Sequence, residues 1–443
     1  MASKVLGILI LATNGDRTEF LQDPYTYAPS FTESTPLGAV ESFQLGSYLK
    51  STYLDSSSPL HIRGMPLDPA HPIPPSKINV HAKSGGGGAA IFDSSVALLQ
   101  GLFPPTSLNK MDLANGSTIV APLGGYQYVP VEMNTEGGDR VLEPWTDCKA
   151  FKKHVAEVYT SEEFKQTAKN AEHFFEAVRD YMFGRPASLV DMVSFRVYDY
   201  LNTQLIHNQS FAFRLPPTLI EQARGLAAYK ESAAFSDKDL GGIGNIAGRA
   251  ILSPITKALE RIAFDDDPLR LLLIETSYQP FISLFSMLSA KGPNGQLSGI
   301  PNYASALSFE IIRGPAPEFR DFVRLKFKNG TEDAELQTLH IFDHPEESVP
   351  VTEFIYRLEH HVVSHDKWSS ACSTSWLPFG MDVTTASQSA LSPFRFLLVL
   401  VVAMFAFAAY RKYTQTRPAK RYDAMRQNEE HDTFVNEKSR LLP

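Results

Sequence analysis

The apolar pattern opens on a buried strand. Residues 5–12 form an unbroken apolar run of strand length, and Asn14-Gly15-Asp16 follows as a strong turn signal. Ligands of open α/β sheets bind beyond the C-terminal ends of such strands, so this turn is a candidate site. Helical spacing takes over at 37–50, a second strand reads at 77–82, and a glycine run fills 84–88. A helical stretch through 94–100 then stops at the double proline of Gly-Leu-Phe-Pro-Pro, 101–105. From about 147 to 263 strand-like runs are scarce and helical segments follow one another. The strand pattern resumes at 269–274, a helix follows at 281–290, and 303–312 and 321–327 read as further strands. The pattern predicts an α/β body with an inserted helical subdomain, and it makes 5–12 and 269–274 neighbours in one central sheet.

The C-terminal region changes the picture. Residues 396–410 read FLLVLVVAMFAFAAY, without a charge. A helix of that length spans about 22 Å, short of a hydrocarbon core of about 30 Å. Taken back to Leu391 it gains length, with Arg395 one turn inside, where its stem can snorkel. A buried core helix is the other reading of such a run. Arg411, Lys412, Arg417, Lys420, Arg421 and Arg426 follow it and favour a membrane span. The expectation is a transmembrane helix at 391–410, a lumenal or extracellular body at 1–390 and a disordered cytosolic tail at 411–443. Membrane lipid is then a partner. Residues 369–392, rich in Ser, Thr and Ala, read as a stalk. The cluster at 417–421 is either a lipid contact or an ordinary stop-transfer flank. Candidate N-glycosylation sites at Asn115, Asn208 and Asn329 all precede the span. Residues 1–12 make a marginal signal peptide with no clear cleavage site.

Composition narrows the function. The chain has 443 residues, of which 43% are hydrophobic, enough for one large or two packed domains. Its net charge is −8, and the basic tail leaves the rest more acidic still, which excludes nucleic acid as a partner. Two cysteines, Cys148 and Cys372, cannot staple a fold of this size, and their pairing is not readable from spacing. The 12 histidines show no metal-ligand spacing, and residues 84–88 lack the Lys-Ser/Thr of a P-loop. Asp265-Asp266-Asp267 lacks calcium-loop spacing and reads as a turn. No metal or cofactor is expected.

Four segments carry a family resemblance. VLGILILATNGDRTEF at 5–20 resembles the first strand and phosphate loop of the histidine acid phosphatases, a family in the phosphoglycerate mutase-like clan. SSVALLQGLFPP at 94–105, LEPWTDCKAF at 142–151 and IPNYASALSFEI at 300–311 resemble that family's Ser-Ala helix, the opening of its helical cap and its late strand. The resemblance frames roughly residues 5–330. It implies a three-layer α/β/α body with a helical cap at about 147–263, and membrane-anchored members of the family agree with the span.

The family loop runs Arg-His-Gly-x-Arg-x-Pro, in which the histidine attacks phosphorus and the arginines hold the phosphoryl oxygens. Laid on this chain, Thr13 stands at the first arginine and Asn14 at the histidine. Gly15 and Arg17 match, Asp16 and Thr18 suit family variants, and Glu19 stands at the proline. Ala90 falls on the arginine of the middle segment, and Thr276-Ser277-Tyr278 on the late His-Asp pair. His365-Asp366 lies past the late strand and reads as an exposed loop pair. Asparagine neither attacks phosphorus nor accepts a proton near neutral pH.

The resemblance therefore implies a degenerate pocket at Thr13, Asn14, Gly15, Asp16, Arg17, Ala90, Thr276, Ser277 and Tyr278, with no catalytic residue. Arg17 is read two ways, as an anion-binding fork or as the structural partner of Asp16 or Glu19. The expectation is a catalytically degenerate, membrane-anchored family member: a non-catalytic binding or scaffold protein whose partner is a phosphorylated ligand or another protein. The alternative is an acid-phosphatase-type phosphomonoester hydrolase with a non-standard active site.

Overall fold

Strand β1 (Lys4–Thr13) is central because both its faces are apolar. Leu9 and Leu11 enter one layer with Ile251, Leu252, Ile255 and Phe281, while Ile8, Ile10 and Ala12 enter another with Leu45, Leu49, Leu98 and Leu102. Each such side chain contributes roughly 1.5–3 kcal/mol by leaving water. The computed structural model describes residues 4–373 apart from 21–31, 66–74, 85–88, 135–137, 183–192, 265–266 and 315–319.

Seven strands form the main sheet: β1, β2 (Ile78–Ala82), β3 (Leu271–Thr276), β4 (Ala306–Arg313), β5 (Asp321–Lys328), β6 (Gln337–Leu339) and β7 (Ser348–Pro350). Their order is β6-β5-β4-β1-β3-β2, and β7 also pairs with β5. Strands β1, β3 and β2 are parallel, with Ile8 and Ile78 both opposite Leu271. The remaining pairings are antiparallel. The two apolar runs at 5–12 and 269–274 are thus neighbours in the sheet.

One face is covered by α1 (Pro36–Leu49) and α2 (Ala90–Leu102). Thr35 starts α1 by accepting from the Gly38 N–H, with Pro36 pre-set for the first turn. The two helices approach so closely that a Cβ on Gly46 would land on the Leu98 carbonyl oxygen, and one on Gly101 on that of Phe43.

The helix-rich interval divides in two. Helices α3 (Lys149–Thr160), α4 (Glu162–Asn170), α5 (Glu172–Val178), α6 (Val193–His207), α7 (Gln209–Arg214) and α8 (Pro217–Phe235) make a cap with its own aromatic core. Trp145, Phe151, Phe164, Phe174, Phe175 and Phe235 lie in it. The next helix, α9 (Ile246–Ala263), turns Ile251, Ile255, Leu259 and Ile262 onto the sheet, together with α10 (Gln279–Met287). Beyond the last strands come α11 (Val351–Leu358) and α12 (His365–Cys372). Cys372 of α12 is disulfide-bonded to Cys148, 224 residues earlier, and the Trp368 Nε1–H donates to the Pro144 carbonyl at 2.6 Å.

The membrane reading is corrected. Among the described residues no helix is long and apolar enough to cross a membrane; the run at 391–410, its tail and the expected stalk from 374 onward lie outside them, while residues 369–372, expected as the start of that stalk, belong to helix α12 and end on the disulfide-bonded Cys372. The α/β body with its helical cap stands as the fold class, with no membrane-crossing helix among the described residues. The expected single-pass topology and the membrane-lipid partner fall with the span. An uninterrupted apolar run flanked by basic residues fits both a span and a buried helix, and sequence alone gave no means of separating them.

Candidate functional site

Strands β1, β3 and β2 end on one side of the sheet, and the loops after them meet cap helices α6 and α8 around a cavity of about 220 Å³. Thr13, Asn14 and Arg17 come from the loop after β1, Lys83 from the end of β2, and Ser277 and Tyr278 from the end of β3. Asp199 and Arg224 reach in from the cap, and Asn302 and Tyr303 from the segment before β4. A crevice beyond the carboxyl ends of parallel strands is the usual ligand site of such sheets.

The loop after β1 is held tightly. The Thr13 hydroxyl donates to the Asn302 carbonyl at 3.1 Å and accepts from the Ser305 N–H at 2.9 Å. The Asn14 amide donates to the Gly15 carbonyl at 2.8 Å, and the Gly15 N–H donates to Ser94 Oγ at 3.1 Å. The Asp16 N–H donates to Glu41 at 2.8 Å, and burial pushes that carboxyl up, partly offset by this bond. The Asp16 carboxylate is fully buried between Thr35 and His207, whose Nε2 lies 2.8 Å away.

Arg17 has a partner that neither sequence reading named. Its guanidinium meets Asp199 of α6 at 2.8 and 3.4 Å and lies over the Phe20 ring at 4.8 Å. Burial alone would lower its pKa, and the charge and hydrogen bond of Asp199 together with the nearby Tyr303 and Tyr278 more than reverse that. The Phe20 N–H also donates to Asp199, at 2.6 Å. Glu19 is no partner to Arg17; desolvation and the charge of Asp199 push its carboxyl up.

Two further cations on the cleft escaped sequence reading. Lys83 Nζ forms a buried ion pair with Glu143 at 2.7 Å and donates to Ser277 Oγ at 3.2 Å. Arg224 donates to the Asn302 side-chain oxygen at 2.5 Å. The one signal for Lys83 was its place at the carboxyl end of a strand, just before the glycine run. Arg224 carried none. Of the expected pocket residues, Thr13, Asn14, Arg17, Ser277 and Tyr278 line the cleft, whereas Ala90 and Thr276 are buried off its wall. His365 and Asp366 begin α12, on no wall of the cleft.

Buried acids surround the site. The Tyr278 hydroxyl donates to Glu231 of α8 at 2.9 Å, and burial pushes that carboxyl up to about 7 against the pull of Lys230 and the tyrosine. Glu275, on β3, is fully buried, neither of its carboxyl oxygens has a hydrogen-bond partner, and desolvation pushes it up to about 8. Among the described residues no cluster of His, Cys, Asp and Glu could hold a metal ion. Asn115 and Asn208 are exposed, while the Asn329 side chain accepts from the Asn302 N–H at 2.9 Å.

No family model matches the chain. It is 24% identical over 390 residues to prostatic acid phosphatase of Bos taurus, covering 84% of this chain and 88% of that protein. Among solved structures, the phytase of Citrobacter braakii superposes with a TM-score of 0.56 at 14% identity, over 84% of this chain and all of that one. A Klebsiella phytase gives 0.57 at 13% identity over 82% and 96%, and the Hafnia alvei phytase 0.55 at 13% over 84% and 99%. The chain has the fold of these histidine-acid-phosphatase-like and phytase structures.

The expectation of a catalytically degenerate member is corrected here. Every relative above is a phosphatase or phytase by name, and none of these likenesses points to lost chemistry. Thr13, Asn14 and Ala90 lack the family's groups at the aligned positions, but Lys83 and Arg224 bring cations to the cleft from positions outside that alignment.

Proposed function

We propose that this chain acts on phosphomonoesters, as an acid-phosphatase-type hydrolase working from a non-standard active site. The observation that carries the reading is the convergence of Arg17, Lys83 and Arg224 on one cleft at the ends of three parallel strands. A phosphate dianion leaving water requires matching charge and N–H donors. Lys83 and Arg224 supply donors that Thr13 and Ala90 lack. Glu143 and Asp199 offset part of the positive charge, which suits a single phosphate better than a polyphosphate. The likeness to prostatic acid phosphatase supports the substrate class.

Asn14 cannot form a phosphoenzyme, so the step is written with water. Water bonds to phosphorus, the P–O ester bond breaks, the alcohol leaves with a proton, and inorganic phosphate keeps the rest. The protein's part is positioning and charge stabilisation.

The test is calorimetry of the full chain with inorganic phosphate beside an acid-range assay on nitrophenyl phosphate. Binding and turnover are both expected, and both should weaken in a folded Lys83→Met/Glu143→Leu double variant. Binding without turnover of any ester would overturn the hydrolase reading, and absence of both would overturn the phosphate site as well.

A further inference from the structure

Helix α9 carries Ser253, Lys257 and Arg261 at a spacing of four, which stacks them along one face. All three line a second cavity, of about 710 Å³, together with Leu272 and Ile274 of β3 and with His81 and Glu132 at the β2 edge. Among the described residues it shares no lining residue with the cleft at the strand ends.

The size and the walls point to a ligand. Close packing leaves few gaps in a protein larger than a water molecule, whereas sites for small organic ligands run to about 300–1,000 Å³. Leu272 and Ile274 are 2% and 1% exposed, so the recess reaches into the apolar layer between the sheet and α9. Water finds few hydrogen-bond partners on such a surface, and an apolar body suits it better.

The charges set the polar end of that ligand. The Arg261 guanidinium is taken up by Asp267, at 2.9 and 3.0 Å. His81 Nδ1 faces Glu132 Oε2 at 3.6 Å. Lys257 is exposed, and among the described residues neither its ammonium nor the Ser253 hydroxyl one turn before it has a partner. Glu132, the acid on the lining, comes from the segment beside β2, so an anionic head is directed to α9. One uncompensated cation with one hydroxyl donor matches a monoanion, and a phosphate dianion requires more than that.

We propose that this recess binds a small monocarboxylic acid with an apolar body, its carboxylate on Lys257 and Ser253 and its chain on Leu272 and Ile274. The site is separate from the hydrolase reading and does not depend on it.

Octanoate is the probe and octanol its uncharged counterpart, each titrated by calorimetry into the full chain. Octanoate should bind at one molecule per chain, and saturating inorganic phosphate should not displace it. Lys257→Met, a change at an exposed position, should weaken octanoate at least tenfold and leave octanol unchanged. Ala258→Met, which fills the recess from its buried wall, should weaken both at least tenfold in a chain whose circular dichroism is unaltered. Absence of octanoate binding to the wild type would overturn the proposal, and displacement by phosphate would move the binding to the cleft and overturn it equally. Unchanged octanoate affinity in Lys257→Met, or an equal loss of octanol, would remove the carboxylate from Lys257. Unchanged affinity for both probes in a folded Ala258→Met would remove the apolar chain from the recess.

Discussion

The Arg17 guanidinium and the Asp199 carboxylate meet at 2.8 Å, joining the loop after β1 to cap helix α6. The same helix reaches that loop again one residue earlier in the chain, through His207 on Asp16 at 2.8 Å. An ion pair and a hydrogen bond from a single helix fix the cap over the cleft floor. Both contacts involve a nearly fully buried acid, so neither is an ordinary surface contact.

Asp199→Ala should be strongly destabilising. It leaves Arg17 buried without its counter-charge and the Phe20 N–H without its acceptor. Denaturant unfolding should show a loss of about 3–5 kcal/mol, whereas Arg17→Met/Asp199→Leu, which removes both charges, should lose far less. Equal losses in the single and double variants would contradict the coupling.

Lys83 sets phosphate affinity if the cleft is a phosphate site. Lys83→Met alone also strands Glu143, which confounds binding with stability. The double variant Lys83→Met/Glu143→Leu should fold and still bind phosphate at least tenfold more weakly in calorimetry, about 1.4 kcal/mol. Unchanged affinity in a folded double variant would remove Lys83 from the site.

Glu275 gives stability a pH dependence of known sign. Its folded pKa of about 8 lies above the ordinary 4.5, so between those values the folded chain holds a proton that the unfolded chain releases. Stability from this group is complete below about 4.5 and is lost as pH rises towards 8. Glu275→Gln should flatten that slope, by an amount on the order of a few kcal/mol across the window. Parallel denaturation curves at both ends of the window are the check.

Gly38 lies against the loop at the other end. A Cβ there would fall on the Asp16 carbonyl oxygen, and one on Gly15 would meet the backbone of Gly38. Gly38→Ala should cost roughly 1–3 kcal/mol, because neither backbone can yield without moving the loop. Gly225→Ala makes a control: a Cβ there has nothing within 4 Å, and alanine in a helix interior is favoured by up to about 1 kcal/mol. Thermal melts of the two variants should move in opposite directions.

The sheet was legible because its inner strands announce themselves. Residues 5–12 and 269–274 are apolar without interruption, which is what a strand buried on both faces requires. The boundary between cap and body was not legible, since α8 and α9 both show helical spacing and only packing sends α9 to the sheet. The site was half legible. Thr13, Asn14 and Arg17 follow one strand and were found from it. Asp199, Arg224 and Asn302 are brought to them from more than 180 residues away by the cap and by the turn before β4. No local spacing encodes such a meeting. Asp16 and Glu19 are the acids beside Arg17 in sequence, while tertiary structure supplies Asp199 as its partner.

The bond between Cys148 and Cys372 turns the segment between them into a covalent ring. Strands β3 to β7 and all six cap helices lie within that ring, while β1 and β2 enter the sheet from outside it. A single protease cut within the ring therefore releases nothing: the two pieces stay tethered, and the nick shows on a gel only after a thiol reductant is added. A cut between β2 and Cys148 has the opposite outcome. It leaves the floor of the cleft, with Arg17 and Lys83, joined to its roof by non-covalent contacts alone.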